Sequence, residues 1–273
     1  MSSPHNGSPA DVAATTRHES APRVNILGVR VSATTMAAAV DQIRSWIATG
    51  RRTYVCVSGV HGLMESRRNP QIRRIHNAAG MVTPDGMPLV YLSRLAGHPE
   101  TTRVYGPDLM ARVCEDSIAA GYTHFLYGAT DATLARLRER LAARFPGIRI
   151  VGSYSPPFRP LTAIERDQIA AEINRSAPDV VWVGLSTPKQ ELWMADFRDR
   201  LDAAVLIGVG AAFDFHAGTV RQAPRWMQPL CLEWLFRLAV EPRRLWKRYL
   251  VNNPLFLGAL FLQASRLKQY PAE

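Results

Sequence analysis

The sequence predicts an α/β protein: a doubly wound, mostly parallel sheet with helices on both faces, followed by a basic helical appendage at the C-terminus. Three observations predict it. Apolar runs of strand length recur between Val24 and Gly208, bounded by turn residues. Amphipathic stretches of helical period separate them. After Pro224 the strands stop, and large apolar residues keep helical spacing among arginines.

Residues 1–23 are rich in Ser, Pro, Ala and Thr, without apolar periodicity, and read as a disordered tail. No charged start leads into an apolar stretch, so the tail reads as neither signal peptide nor membrane anchor. Val24 to Val29 reads as the first strand, with Gly28 at a bend. A helix is expected over Met36 to Ala48, opened by Thr34 or Thr35 and stopped at Gly50. The remaining strands fall at Tyr54–Ser58, Met81–Thr83, Thr123–Tyr127, Ile148–Val151, Val180–Gly184 and Val205–Gly208. Among the helices between them, Thr162-Ala-Ile-Glu165 is a capping box, and Thr187-Pro188 sets a cap before a first-turn proline.

Residues 24–223 thus form the α/β domain and 224–273 the appendage. In the appendage Trp226, Leu230, Trp234, Leu235 and Leu238 keep helical spacing until Pro242 breaks the run. Arg243 to Tyr249 is a short basic, aromatic segment, and Pro254 opens a last helix. Its run Leu255–Leu262 falls short of the roughly 20 apolar residues that span a bilayer. It suits the interface, with apolar residues inward and arginines at the phosphates.

Composition narrows the class. With 273 residues, 47% hydrophobic and 21% charged, the chain is neither collagen-like nor low-complexity, and it can bury a sizeable core. Cys56, Cys114 and Cys231 share no paired spacing, which argues against a disulfide framework or a structural zinc site and suits a reducing compartment. The net charge is +10, and the stretch from Arg221 to Lys268 carries +7 of it. Such a stretch fits nucleic acid, a membrane surface or a phosphorylated substrate, and a solvated charged face competes with all three.

In open α/β sheets ligands bind beyond the carboxyl ends of the strands, which makes four segments candidates. Asp85, in Thr83-Pro84-Asp85-Gly86, is either a general base or the cap of a helix starting near Met87, and spacing alone slightly favours the cap. In Gly184-Leu-Ser-Thr-Pro-Lys-Gln-Glu191, Ser186 and Thr187 open a helix whose first turn holds Lys189 and Gln190. That arrangement suits a phosphate or a sugar hydroxyl, and plain capping weighs equally. Gly208 to Gly218 partly matches GxGxxG, with Phe213 in place of the last glycine. Its Asp214 and His216 suit a nucleotide, while a structural turn explains the glycines equally well. Arg103 is a candidate phosphate or sugar ligand, and Asp108 reads as an N-terminal helix residue. No phosphate loop, HExxH, GxSxG or Asp-X-Asp occurs, and His61, His76 and His124 are isolated.

Five strings stand in one order: Thr-Pro-Asp-Gly-Met-Pro (83–88), Val-Gly-Leu-Ser-Thr-Pro-Lys-Gln-Glu (183–191), Gly-Val-Gly-Ala-Ala-Phe-Asp-Phe-His-Ala-Gly (208–218), Arg-Gln-Ala-Pro-Arg-Trp-Met-Gln (221–228) and Leu-Glu-Trp-Leu-Phe-Arg-Leu-Ala-Val-Glu-Pro-Arg-Arg (232–244). Together, from about Val24 to Pro254, they resemble the WecG/TagA/CpsF glycosyltransferase family. The resemblance implies a Rossmann-like fold and an inverting, metal-independent transferase with no cofactor. Such an enzyme moves an N-acetylmannosamine-type sugar from a UDP-sugar to a polyprenyl-diphosphate-linked saccharide. Its expected place is the inner face of the cell membrane, attached peripherally, in surface polysaccharide and cell-envelope biosynthesis.

By position, the resemblance makes Asp85 the base, overriding the capping preference. It assigns Arg103 and Gln190 to the sugar and diphosphate, and Asp214 to the nucleotide. Arg237, Arg244 and Lys247 fall where the appendage supplies cations to the acceptor diphosphate, with Lys247 in an arginine position and therefore without the bidentate fork. The family's Thr-X-Asn donor motif is missing: the chain reads Val57-Ser58-Gly59-Val60-His61. Ser58 takes the threonine's place if one residue is deleted, and the asparagine has no counterpart. Two other classes compete. Gly208-Val-Gly210 supports a nucleotide-dependent oxidoreductase, and the Trp and Arg residues after Pro224 support a nucleic-acid-binding module, which the resemblance argues against. Donor, polymer and oligomeric state stay open.

Overall fold

The computed structural model describes residues 21–227 and 230–272, so residues 1–20 of the expected tail lie outside it. Its strands are β1 (Arg23–Ile26), β2 (Val29–Ser32), β3 (Thr53–Ser58), β4 (Met81–Pro84), β5 (Thr123–Gly128), β6 (Arg149–Tyr154), β7 (Val180–Gly184) and β8 (Val205–Gly208). The helices of the α/β part are α1 (Met36–Ala48), α2 (Val60–Arg68), α3 (Pro70–Ala78), α4 (Met87–Leu95), α5 (Gly106–Ala120), α6 (Asp131–Arg144), α7 (Ala163–Arg175), α8 (Lys189–Phe197) and α9 (Ala212–Ala217). Beyond them come α10 (Glu233–Val240), α11 (Pro242–Trp246), a π-helical turn at Lys247–Val251, and α12 (Asn252–Ala264).

The six apolar runs from Tyr54 onward each form a strand, and the six strands pair in parallel in the order β4-β3-β8-β7-β5-β6. The strands of β3, β5 and β8 are buried throughout because both faces are covered, which is why they read as continuous apolar runs. One core layer holds Leu63, Ile72, Ile173, Met194 and Phe197, from α2, α3, α7 and α8. The other holds Ile43, Leu109, Leu137 and Phe213, from α1, α5, α6 and α9. The chain leaves β3 into α2 on the first face and β8 into α9 on the second. Since β3 and β8 are neighbours, a crevice opens between them at their carboxyl ends.

The start differs from the single strand expected over Val24–Val29. Leu27 and Gly28 both take positive φ, at 52° and 89°, so the chain reverses into the antiparallel hairpin β1–β2. Asn25 Oδ1 accepts from Gly28 N at 2.9 Å and closes the turn. A fully buried leucine at a left-handed turn position gives no turn signal in the sequence; its burial in the core is what holds it there.

Two helix starts also differ. Thr162 makes the expected capping box with Glu165. Thr187, however, does not cap α8, which begins at Lys189, because its hydroxyl donates to the buried Glu191 Oε1 at 2.9 Å. Pro242 opens α11 as well as ending α10. The last helix starts at Asn252 rather than Pro254: Asn252 is buried, accepting from Arg68 Nη2 and lying 3.2 Å from His61 Nδ1. From there α12 buries Phe256 and Ala259 in the same core layer as the hairpin, and Gln263 hydrogen-bonds Leu27 N and Asn25 O. Among the described residues no helix is long and apolar enough to cross a membrane.

Candidate active site

Asp85 follows β4 directly, held by its own N–H to Ser58 O (3.0 Å) on the neighbouring strand. The α4 N-cap is Gly86, with no side-chain bond, so the capping role that spacing favoured for Asp85 is not realised. Its carboxylate instead accepts from Gly106 N at 3.4 Å and lies 3.9 Å from Arg103 Nη2. Burial raises the Asp85 pKa above the ordinary carboxylate value. Arg103 opposes that rise, Glu233 adds to it, and Gly106 N–H and Arg237 pull it down again. The net result is a carboxylate with more proton affinity than one in water, as a general base needs.

Arg103 is a strut as much as a ligand candidate. Its Nε donates to the Asp85 backbone oxygen, its Nη2 pairs with Glu233 Oε2 at 2.7 Å, and its guanidinium lies 4.0 Å from the Tyr105 ring centre. Burial works against the Arg103 charge, but Asp85 and Glu233 more than restore it, and its pKa rises. Glu233 is a site residue that the sequence reading missed. It sits in α10 as an acid among apolar neighbours, and only the fold brings that helix over the β4 end.

Two cavities meet at Asp85. The first, of about 280 Å³, runs along the strand ends past Val57, Gly184, Ser186, Thr187, Gln190, Val209, Gly210 and Asp214 to Thr130, Thr133 and Phe158. The second, of about 370 Å³, is lined by Val60, His61, Met87, Pro88, Arg103, Glu233, Trp234, Tyr249, Phe256 and Leu257. Among these, Asp85 and Arg237 line both. Arg237 also lies over the Phe215 ring, 5.6 Å from its centre.

Gly210 lines this first cavity, and Gly208 is buried just before it at the end of β8. A Cβ at Gly208 would lie 2.8 Å from Met194 Cε and 3.1 Å from Gln190 Nε2, and one at Gly210 (φ +52°) 3.4 Å from Gln190 Oε1. They leave room for the buried Gln190 amide, whose Nε2 donates to Glu191 Oε1 at 3.2 Å. A partial dinucleotide fingerprint is therefore better explained by side-chain clearance.

The other expected residues divide. Asp214 lines the first cavity from α9, whereas His216 turns away, its Nε2 2.9 Å from Pro107 O. Ser58 lines neither: its hydroxyl lies 2.8 Å from His76 Nε2, and His76 Nδ1 lies 3.0 Å from Ser66 Oγ, all in the buried interior. Lys247 lines neither of these cavities but a third depression with Glu65 and Arg68, which shares His61 with the second cavity and Ser186 with the first. Arg244 stands in α11, and its side chain lies outside the described part. Among the described residues no group of three or more His, Cys, Asp or Glu is arranged to hold a metal ion.

Known proteins resemble the chain along most of its length. A family model described as "Glycosyl transferase WecG/TagA/CpsF family" matches residues 24–270. Over 196 residues the chain is 34% identical to the N-acetylglucosaminyldiphosphoundecaprenol N-acetyl-beta-D-mannosaminyltransferase of Bacillus spizizenii (strain ATCC 23059 / NRRL B-14472 / W23), covering 72% of this chain and 74% of the relative. Over 195 residues it is 32% identical to the protein of the same name from Bacillus subtilis (strain 168), covering 71% and 74%.

Proposed function

The chain belongs to the WecG/TagA/CpsF glycosyltransferase family, and on that premise we propose that it transfers an N-acetylmannosamine-type sugar from a UDP-sugar to a polyprenyl-diphosphate-linked saccharide with inversion at the anomeric carbon. That it is a glycosyltransferase follows from its relatives. The donor, the stereochemistry and the independence from metal are the proposal.

The observation that carries it is that Asp85 lines both cavities. A base at a shared wall can serve a donor on one side and an acceptor on the other. The donor would lie in the first cavity, with its diphosphate toward Arg237, which family position gives to the acceptor diphosphate but which lines both cavities. The acceptor sugar would enter through the second, whose apolar walls suit a lipid-linked ligand. Asp85 takes the proton from the acceptor hydroxyl, the freed oxygen bonds to the anomeric carbon, and the bond to UDP breaks on the opposite face. The electron pair leaves on the diphosphate, where Arg237 offsets the charge in place of a divalent cation.

A peripheral position on the membrane fits the C-terminal surface. Trp226, Leu230, Leu250, Leu257, Phe261 and Leu267 are exposed there, alongside Arg243, Lys247 and Lys268. Apolar side chains interleaved with cations match an anionic lipid surface.

The test is UDP release from a panel of UDP-sugars, with and without a polyprenyl-diphosphate-saccharide acceptor. Acceptor-dependent release that Asp85→Asn abolishes is expected. Release by Asp85→Asn at the wild-type rate would overturn the assignment of the base.

A further inference from the structure

Phe158 is 90% exposed and yet lines the first cavity. An isolated exposed aromatic needs no explanation on an ordinary surface. One held over a cavity mouth is different, and two features set this one apart.

The first is its position relative to the chemistry. Asp85 follows β4, at one edge of the sheet, and Phe158 follows β6, at the other. Neighbouring strands lie about 4.8 Å apart, so the sheet places these ends roughly 24 Å from each other before the loops fold inward. In a sugar nucleotide the anomeric carbon lies at one end, the diphosphate in the middle and the base at the far end. With the anomeric carbon beside Asp85, the base reaches the β5–β6 side, where the cavity is lined by Thr130, Thr133 and Phe158.

The second is that its loop is pinned on both sides. Ser155 Oγ donates to Ala129 O at 2.8 Å, and the Arg159 guanidinium grips Glu165 with both terminal nitrogens, at 2.6 and 2.8 Å. Pro156, Pro157 and Pro160 restrict the backbone between these anchors. An aromatic face held out in this way loses little freedom when a ring settles on it.

We propose that Phe158 is the stacking face for the nucleobase of the donor, which makes it a binding residue for the nucleoside rather than for the sugar or diphosphate. The proposal rests on the nucleotide-sugar reading above. Stacking of a base on an aromatic ring is sequence-tolerant and strong enough to read out by truncation.

The test uses the full-length protein with UDP and inorganic pyrophosphate as probes, Kd by calorimetry, and thermal melts as a check of folding. Phe158→Ala is expected to raise the Kd for UDP about tenfold. Phe158→Tyr should stay within about twofold of wild type. Phe158→Leu, which keeps the bulk and loses the π face, should resemble Phe158→Ala. Pyrophosphate has no base, and its affinity should be equal in all four proteins. Wild-type affinity for UDP in Phe158→Ala overturns the proposal while leaving the nucleotide reading intact. An equal loss of UDP and pyrophosphate binding, or wild-type UDP affinity in Phe158→Leu, also overturns it. A wild-type protein that binds no UDP overturns both readings.

Discussion

Arg103 Nη2 lies 3.9 Å from Asp85 Oδ1 and 2.7 Å from Glu233 Oε2, so one guanidinium is shared between the carboxylate of the α/β part and an acid of the C-terminal helices. The Arg103 Nε bond to the Asp85 backbone oxygen makes the same residue a brace for the β4 end. The charge state of Asp85 is thereby tied to the docking of α10.

That tie sets the pH dependence. The base proposed at Asp85 acts in its ionised form, and burial raises its pKa, so kcat/KM should fall as pH drops through a value above the ordinary 3.8. Glu233→Gln removes a charge that raises this pKa and should move the acid limb to lower pH. Arg103→Gln removes a charge that lowers it and should move the limb to higher pH. Opposite displacements in pH–rate profiles are the expected signature; displacements in one direction would break the link.

Asp85→Asn should reduce kcat by about a hundred- to ten-thousandfold, the usual contribution of a positioned base, with UDP affinity little changed. It should also raise the melting temperature at neutral pH. A carboxyl whose folded pKa is raised loses stability as pH climbs from the unfolded value through the folded one, and the amide has no charge to bury. Calorimetric melts of both proteins at pH 7.5 check the sign.

Ser58→Ala should act on stability rather than on donor binding. It strips His76 Nε2 of its 2.8 Å partner in the buried interior, at a cost of about 1–3 kcal/mol in urea unfolding. A tenfold rise in donor KM with unchanged stability would show instead that Ser58 reaches the donor, as its family position implies.

Buried histidines make the fold acid-sensitive. Burial lowers the His124 pKa from 6.5 to about 4, and lowers those of His76 and His216 as well. The unfolded chain therefore binds more protons below pH 6.5, and stability should drop between pH 6.5 and about 4. For His124 alone the loss is about 3 kcal/mol by the linkage relation. Denaturant titrations at pH 7, 5.5 and 4.5 follow it, and His124→Gln should flatten part of the slope.

Gly184→Ala should couple stability to the site. A Cβ there would lie 2.6 Å from the buried Phe213 ring, and Phe213 adjoins Asp214. Overpacking of this kind costs about 1–3 kcal/mol. A lower melting temperature together with a higher donor KM is the expected pair of effects.

The sequence by itself determined the sheet and marked the strand-end residues that line its cavities. Five of the six parallel strands are buried and announce themselves as apolar runs because both faces of the sheet are covered, and Asp85, Gln190 and Asp214 stand out because ligand residues in such sheets follow strand ends. Local signals carried the Thr162–Glu165 capping box for the same reason: both partners lie within one turn. What depended on distance in the chain was decided only by the tertiary structure. The turn at Leu27–Gly28 exists because the core holds the leucine, not because leucine favours a turn. Glu233 reaches Asp85 through Arg103 although it lies 148 positions further along the chain, and Ser58 spends its hydroxyl on His76, eighteen residues away, rather than on a cavity. No periodicity encodes such meetings. They follow from which faces pack together, and that packing turned one strand-end carboxylate into the wall between two cavities.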